Sequence, residues 1–145
     1  MRVVQRPLRR TRPRAAAAAA ELAIILPVLT LVVLGCIDFG RFAYSYIALT
    51  NAVRAGAGFG SVNAYTTSTY GTWQSQVQQA VVDEMSGVPG FDSSQLTVTA
   101  SGIAESGGLW RVQVTASYPF QPLTSVTGIP GNITMQRTVV LRAIR

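Results

Sequence analysis

Few side chains in this sequence can do chemistry. Six carboxylates are present: Glu21, Asp38, Asp83, Glu84, Asp92 and Glu105. There is one cysteine, Cys36, and no histidine or lysine. Without histidine the commonest general base is missing. A lone cysteine allows no intrachain disulfide and no cysteine metal cluster. Asp83 and Glu84 are adjacent, so on a helix they point to different faces and make no acid/base pair. Asp92, in "GFDSS", suits a turn, and Glu105 falls in a glycine-containing turn. The glycines at 56, 58 and 60 do not follow a strand and make no phosphate loop. The reading is a protein that is not an enzyme and needs no cofactor or metal.

Glu21 is the unusual charge. It stands between a run of alanines and Leu22 to Ile37, sixteen residues without a charge. A spanning helix needs about 20 mostly apolar residues, and Ala15 to Ile37 meets this with Glu21 as its only charge. A soluble core helix would need a polar face, and this run offers none. Ionised groups in such segments are costly and rare. In its plainest reading Glu21 lies at the cytoplasmic interface, near headgroups or Arg14.

Charge is segregated along the chain. The first fourteen residues hold six arginines and no acid; the rest holds six arginines and six acids. Arginines before the first apolar segment predict a cytoplasmic N-terminus, with the C-terminal part across the membrane. The tail lacks interleaved aromatics and a folded reader beside it, so nucleic acid is not the expected partner. Membrane lipid is.

The elements that would hold these residues follow from periodicity. A basic leader over 1–16 gives way to a membrane and stalk helix over 17–60, roughly 60 Å long from about Ala17 to Gly56 at 1.5 Å per residue. Pro27 removes one backbone hydrogen bond, to the carbonyl of Ala23, and predicts a kink. Asp38 and Arg41 are three apart and can pair. Phe42, Tyr46, Leu49, Val53 and Ala57 keep helical spacing and make an apolar stripe for docking the stalk. Tyr44 and Tyr46 suit a membrane interface. Glycines 56, 58 and 60 are expected to end the helix.

An outer domain is expected over 61–145. After a polar loop at 61–72, Trp73, Val77, Val81 and Met85 mark an amphipathic helix closed by Gly87 and Pro89. The period then changes to two. "SQLTVTAS", "LWRVQVTASYPF" and "ITMQRTVVLRAI" read as strands, the first two joined through "GIAESGG". Trp110, Val112, Val114 and Ala116 share one face. The fold class is α+β: a long N-terminal helix packed on a small antiparallel three-stranded sheet, with one additional helix covering the apolar face.

Processing signals narrow the function. Small residues precede the apolar core rather than follow it, the wrong order for a secretory signal. The residues after "RRTRPR" do not support a twin-arginine signal. "VLGC" resembles a lipobox, which would make Cys36 a lipidated first residue. The helix-like "IDFGRFAYSYIALT" that follows argues against it.

The basic tail, "AAAAELAIILPVL", "LGCIDFGRFAY", "LTNAVRAGA" and the ending "YPFQPL" before "RTVVLRAIR" together resemble the TadE-like family of tight-adherence (Flp-type) pilus proteins. The resemblance implies a minor pilin or pseudopilin in the cytoplasmic (inner) membrane. Its partners would be other pilins or pseudopilins of the same pilus, a prepilin peptidase and an inner-membrane assembly platform. It implies cleavage between Ala16 and Ala17, leaving Glu21 fifth in the mature chain, with Ala16 where the family usually has glycine. Asp38 stands where the family commonly has glutamate. A new ammonium at Ala17 would then pair with a neighbouring subunit's carboxylate, and Glu21, Pro27, Asp38 and Arg41 would set helix packing and register. An uncleaved membrane-anchored assembly factor and a lipoprotein acylated at Cys36 are the alternatives.

Overall fold

The computed structural model describes residues 12–105, 109–123 and 133–143. Most of the basic leader and most of the "PFQPLTSVTGIPGN" connection therefore lie outside the described residues. By contacts the chain divides into two units, Met1–Ile37 and Asp38–Arg145. The second unit takes in residues 38–60, which sequence reasoning groups with the helix rather than with the outer domain.

The chain is α+β. Helix α1 runs Arg12–Val62 and α2 runs Tyr70–Met85. Strands β1 (Thr97–Ala104), β2 (Trp110–Phe120) and β3 (Ile133–Arg142) form an antiparallel sheet in the order β1-β2-β3. In β2 the alternation places Val112, Val114 and Ala116 in the core, with Trp110 half-buried on the same face. Pro119 lies beyond the last residue of β2 paired with β1, Ser117, so its missing N–H costs that ladder nothing.

The core lies within Asp38–Arg145. Leu49, Ala52, Val53 and Ala57 of α1 join Trp73, Val77, Val81 and Met85 of α2 and the inner sheet face in one cluster. Each large side chain fully buried this way contributes about 1.5–3 kcal/mol. Among the described apolar residues of the N-terminal unit all but Leu34 are exposed: Leu22, Ile24, Leu29 and Val33 are each more than half accessible. Pro27 lies inside α1, which continues through it.

The glycines do not end α1. The helix runs on to Val62 because Gly56 and Gly60, one turn apart, serve close packing. A Cβ at Gly56 would meet Val81 Cγ2 at 2.5 Å, and one at Gly60 would meet Trp73 Cζ2 and Val112 Cγ1 at 3.0 Å. The packing outweighs the propensity cost of glycine, about 1 kcal/mol per residue. The helix end is closed by polar groups instead. The Asn63 side chain donates to the Phe59 carbonyl at 2.8 Å, and Ser61 Oγ donates to that of Gly58 at 2.8 Å.

Two further boundaries differ from expectation. Helix α2 starts at Tyr70 rather than Trp73, behind a turn in which Thr66 N–H donates to Thr69 Oγ1 at 2.8 Å. Strand β1 starts at Thr97 and runs through Gly102 and Ile103, which look like turn in sequence. Ser94 and Gln95 are withdrawn from the strand by Asp92. Its carboxylate accepts the Ser94 N–H at 2.9 Å and the Gln95 amide at 3.0 Å, folding Ser93–Gln95 into one 3-10 turn. Gly102 fits the strand because the Tyr65 phenol packs over it, where any Cβ would collide.

Candidate functional site

Sequence reasoning singles out two groups of residues on α1. Ala16, Ala17 and Glu21 all lie within the helix with exposed side chains. Glu21 is exposed, and the apolar residues from Leu22 to Val33 after it are equally open. Cys36 is a free, exposed thiol at the end of that run. Thr30, one turn after Leu26, donates its hydroxyl to the Leu26 carbonyl at 2.9 Å, so it is satisfied within the helix.

The second group begins at Asp38, where burial begins. Asp38 is 8% exposed. Its Oδ1 accepts from Arg41 Nη1 at 3.2 Å, the pairing that their spacing allows. The same oxygen accepts the backbone N–H of Leu123 at 2.9 Å. Sequence reasoning missed this link, because nothing local connects residues 85 apart. Arg41 also lies over the Phe120 ring, its guanidinium carbon 5.6 Å from the centroid. Phe42 meets Phe120 edge-on at 5.4 Å and stacks against Tyr46 at 6.1 Å. Leu49 and Val53 are fully buried, while Phe42 and Tyr46 are half-buried against the core. Pro27 belongs to the N-terminal unit and is exposed. The named residues thus fall into separate sets, and only those from Asp38 onward are packed.

Elsewhere the polar groups serve structure. Glu105 pairs with Arg111 and, at 3.9 Å, with Arg142 Nε, fastening the β1–β2 turn to β3. Asp83 accepts from Gln79 Nε2 at 2.7 Å along α2. Asp92 is held below the usual carboxylate range by hydrogen bonds from the Ser94 hydroxyl, the Ser94 N–H and the Gln95 amide. A cavity of about 180 Å³ opens beside Tyr65, Trp110 and Arg111 at the end of α1. Among the described residues no three histidine, cysteine or carboxylate side chains come together to hold a metal ion.

Taken together, these residues bury, pair and pack. Among the described residues one helix is long and apolar enough to cross a membrane, near the N-terminus. This is compatible with a single-pass anchor. No curated protein sequence and no solved structure matches the chain. Residues 16–58, which hold Ala16, Ala17, Glu21, Pro27, Asp38, Arg41 and the whole apolar stripe, match the family model described as TadE-like protein.

Proposed function

We propose that this protein is a minor pilin or pseudopilin-like subunit of a tight-adherence pilus and secretion system, working by helix packing with other pilins. The observation that carries the reading is the bare apolar surface of α1. From Leu22 to Ile37 only Leu34 is even half-buried, and the run is bounded by Glu21 and Asp38. Each aliphatic side chain left in water forgoes about 1.5–3 kcal/mol. Lipid and neighbouring helices are the covers that suit a continuous apolar surface of this length. The TadE-like match over the same residues supports pilin helices as the neighbours.

In this reading the N-terminus stays in the cytoplasm and residues 38–145 lie outside the inner membrane. A prepilin peptidase cuts between Ala16 and Ala17. The new Ala17 ammonium then pairs with a carboxylate of an adjacent subunit, and each offsets the other's burial cost. Asp38 and Arg41 fix where the apolar surface ends. Phe42, Tyr46, Leu49 and Val53 dock the helix on the sheet. One feature favours a second reading, an uncleaved membrane-anchored assembly factor: Ala16 occupies the position before the cut.

The test is the intact mass and N-terminal sequence of the protein expressed with and without its prepilin peptidase. The proposal expects a peptidase-dependent start at Ala17, lost in Glu21→Ala at equal expression. A full-length chain in both backgrounds supports the anchored factor instead. A lipid-bearing start at Cys36 overturns both.

A further inference from the structure

A cavity of about 150 Å³ opens beside Arg41 and Ser45 of α1, and Phe91, Gln95, Tyr118 and Gln121 also line it. Its donors are unspent. Arg41 gives Nη1 to Asp38 at 3.2 Å, and among the described residues no acceptor meets its other nitrogens. The Ser45 hydroxyl has no hydrogen-bond partner among them either. Tyr118 is only 9% exposed. Its phenol oxygen accepts the Asp92 N–H at 3.1 Å, but its own proton has no acceptor among the described residues. A buried hydroxyl normally places its proton on an acceptor. A guanidinium and two hydroxyls lining one cavity suit the oxygens of a phosphate.

Charge decides what else the ligand carries. Asp38 already offsets Arg41, and Asp92 lies one hydrogen bond behind the lining, its Oδ2 accepting from Gln95 Nε2 at 3.0 Å. One cation and two carboxylates therefore stand around the cavity, which disfavours a simple anion. The Gln95 carbonyl oxygen remains an acceptor, and the Phe91 and Tyr118 rings, 5.5 Å apart, offer π surface to a cation. A zwitterion meets both demands.

Depth decides its source. The uncharged run of α1 ends at Ile37. At 1.5 Å per residue, Arg41 lies about 6 Å beyond it along the helix. The headgroup layer is about 5–7 Å thick on each side of the hydrocarbon. Phe39 is 73% exposed, and Leu123, whose N–H is bonded to Asp38, is 67% exposed. Open apolar side chains beside a polar cavity suit a ligand that carries acyl chains.

We infer that this cavity holds the headgroup of a zwitterionic phospholipid, with the phosphate at Arg41, Ser45 and Tyr118 and the ammonium on the Gln95 side. The inference rests on residues 22–37 lying in lipid and is independent of leader cleavage.

The test places the full chain in nanodiscs of equimolar phosphatidylethanolamine and phosphatidylglycerol, releases it with mild detergent and counts the retained lipid by native mass spectrometry. One phosphatidylethanolamine should stay bound, with about tenfold less phosphatidylglycerol. Ser45→Ala and Tyr118→Phe each remove a hydroxyl and should weaken retention by about tenfold while the thermal transition persists. Arg41→Gln should abolish retention. Arg54→Gln, at an exposed arginine outside the cavity, should leave it unchanged. A chain that stays out of the discs overturns the membrane reading and the inference with it. A chain that enters them but retains both lipids equally, or keeps its lipid in Ser45→Ala and Arg41→Gln, overturns the inference alone. So does free phosphoethanolamine that displaces the lipid at equal concentration, since the ligand would then be a soluble phosphate ester.

Discussion

Asp38 and Leu123 are joined by one hydrogen bond, carboxylate Oδ1 to backbone N–H at 2.9 Å, and it ties the start of the packed part of α1 to the segment leaving β2. The carboxylate is nearly buried, so its acceptor capacity must be used. Arg41 shares the same oxygen. Asp38→Ala should therefore destabilise the Asp38–Arg145 unit by about 1–3 kcal/mol. Asp38→Asn keeps an acceptor for Leu123 but loses the charge, and should cost less. Thermal unfolding of the full chain in detergent, followed by Trp73 and Trp110 fluorescence, reads both. Equal loss in the two variants would show that the backbone bond to Leu123 contributes little.

Gly56 lies in contact with α2, whereas a Cβ at Gly58 would meet nothing within 4 Å. Gly56→Val should overpack the α1–α2 contact and cost about 1–3 kcal/mol or more. Gly58→Ala should be neutral or stabilise the helix by up to about 1 kcal/mol. The comparison is internal, because both sites are helical glycines two residues apart. If Gly58→Ala were the more damaging, the close-packing account of α1 would fail.

What was legible in the sequence was what periodicity encodes. The stripe through Leu49 and Val53, the face of Trp73, Val77, Val81 and Met85, and the alternation in β2 each repeat at the spacing of their element, so burial could be read directly. Contacts between distant segments were not legible. The Gly56 and Gly60 spacing looked like a helix end because glycine is a poor helix former, and only α2 lying against them explains why the helix continues. Asp38 and Arg41 could be paired from their spacing, but Leu123 could not be added. β1 was misplaced at both ends because two tertiary or local effects won: Asp92 drew Ser94 and Gln95 into a turn, and Tyr65 gave Gly102 a reason to be glycine.

Val114 is fully buried and the adjacent Thr115 faces the other side, where its hydroxyl meets that of Thr138 at 2.9 Å. Val114→Asp places an unpaired charge in the core and should cost more than about 4 kcal/mol, enough to unfold the domain. Val112→Asp should behave alike. Thr115→Asp stays in solvent and should cost under about 1 kcal/mol. Limited proteolysis of the three variants distinguishes them. A protease-resistant Val114→Asp would reverse the assigned faces of the sheet.

Asp92 gives the domain a defined acid response. Its carboxyl titrates below the ordinary value of 3.8 because the Ser94 hydroxyl, the Ser94 N–H and the Gln95 amide all stabilise the anion. A carboxyl whose folded pKa is depressed binds its proton more readily in the unfolded chain, so stability rises with pH across that interval. The contribution is fully present above the unfolded value and is lost as pH falls through the lower folded one. The window therefore lies around and below pH 3.8, with no change between pH 5 and 8 from this group. Asp92→Asn keeps an acceptor for the Ser94 N–H but cannot titrate. Its unfolding midpoint should fall less steeply than that of the wild type as pH is lowered from 5 to 3, and the two should run parallel above pH 5. A wild-type slope retained in Asp92→Asn would show that the acid response does not come from Asp92.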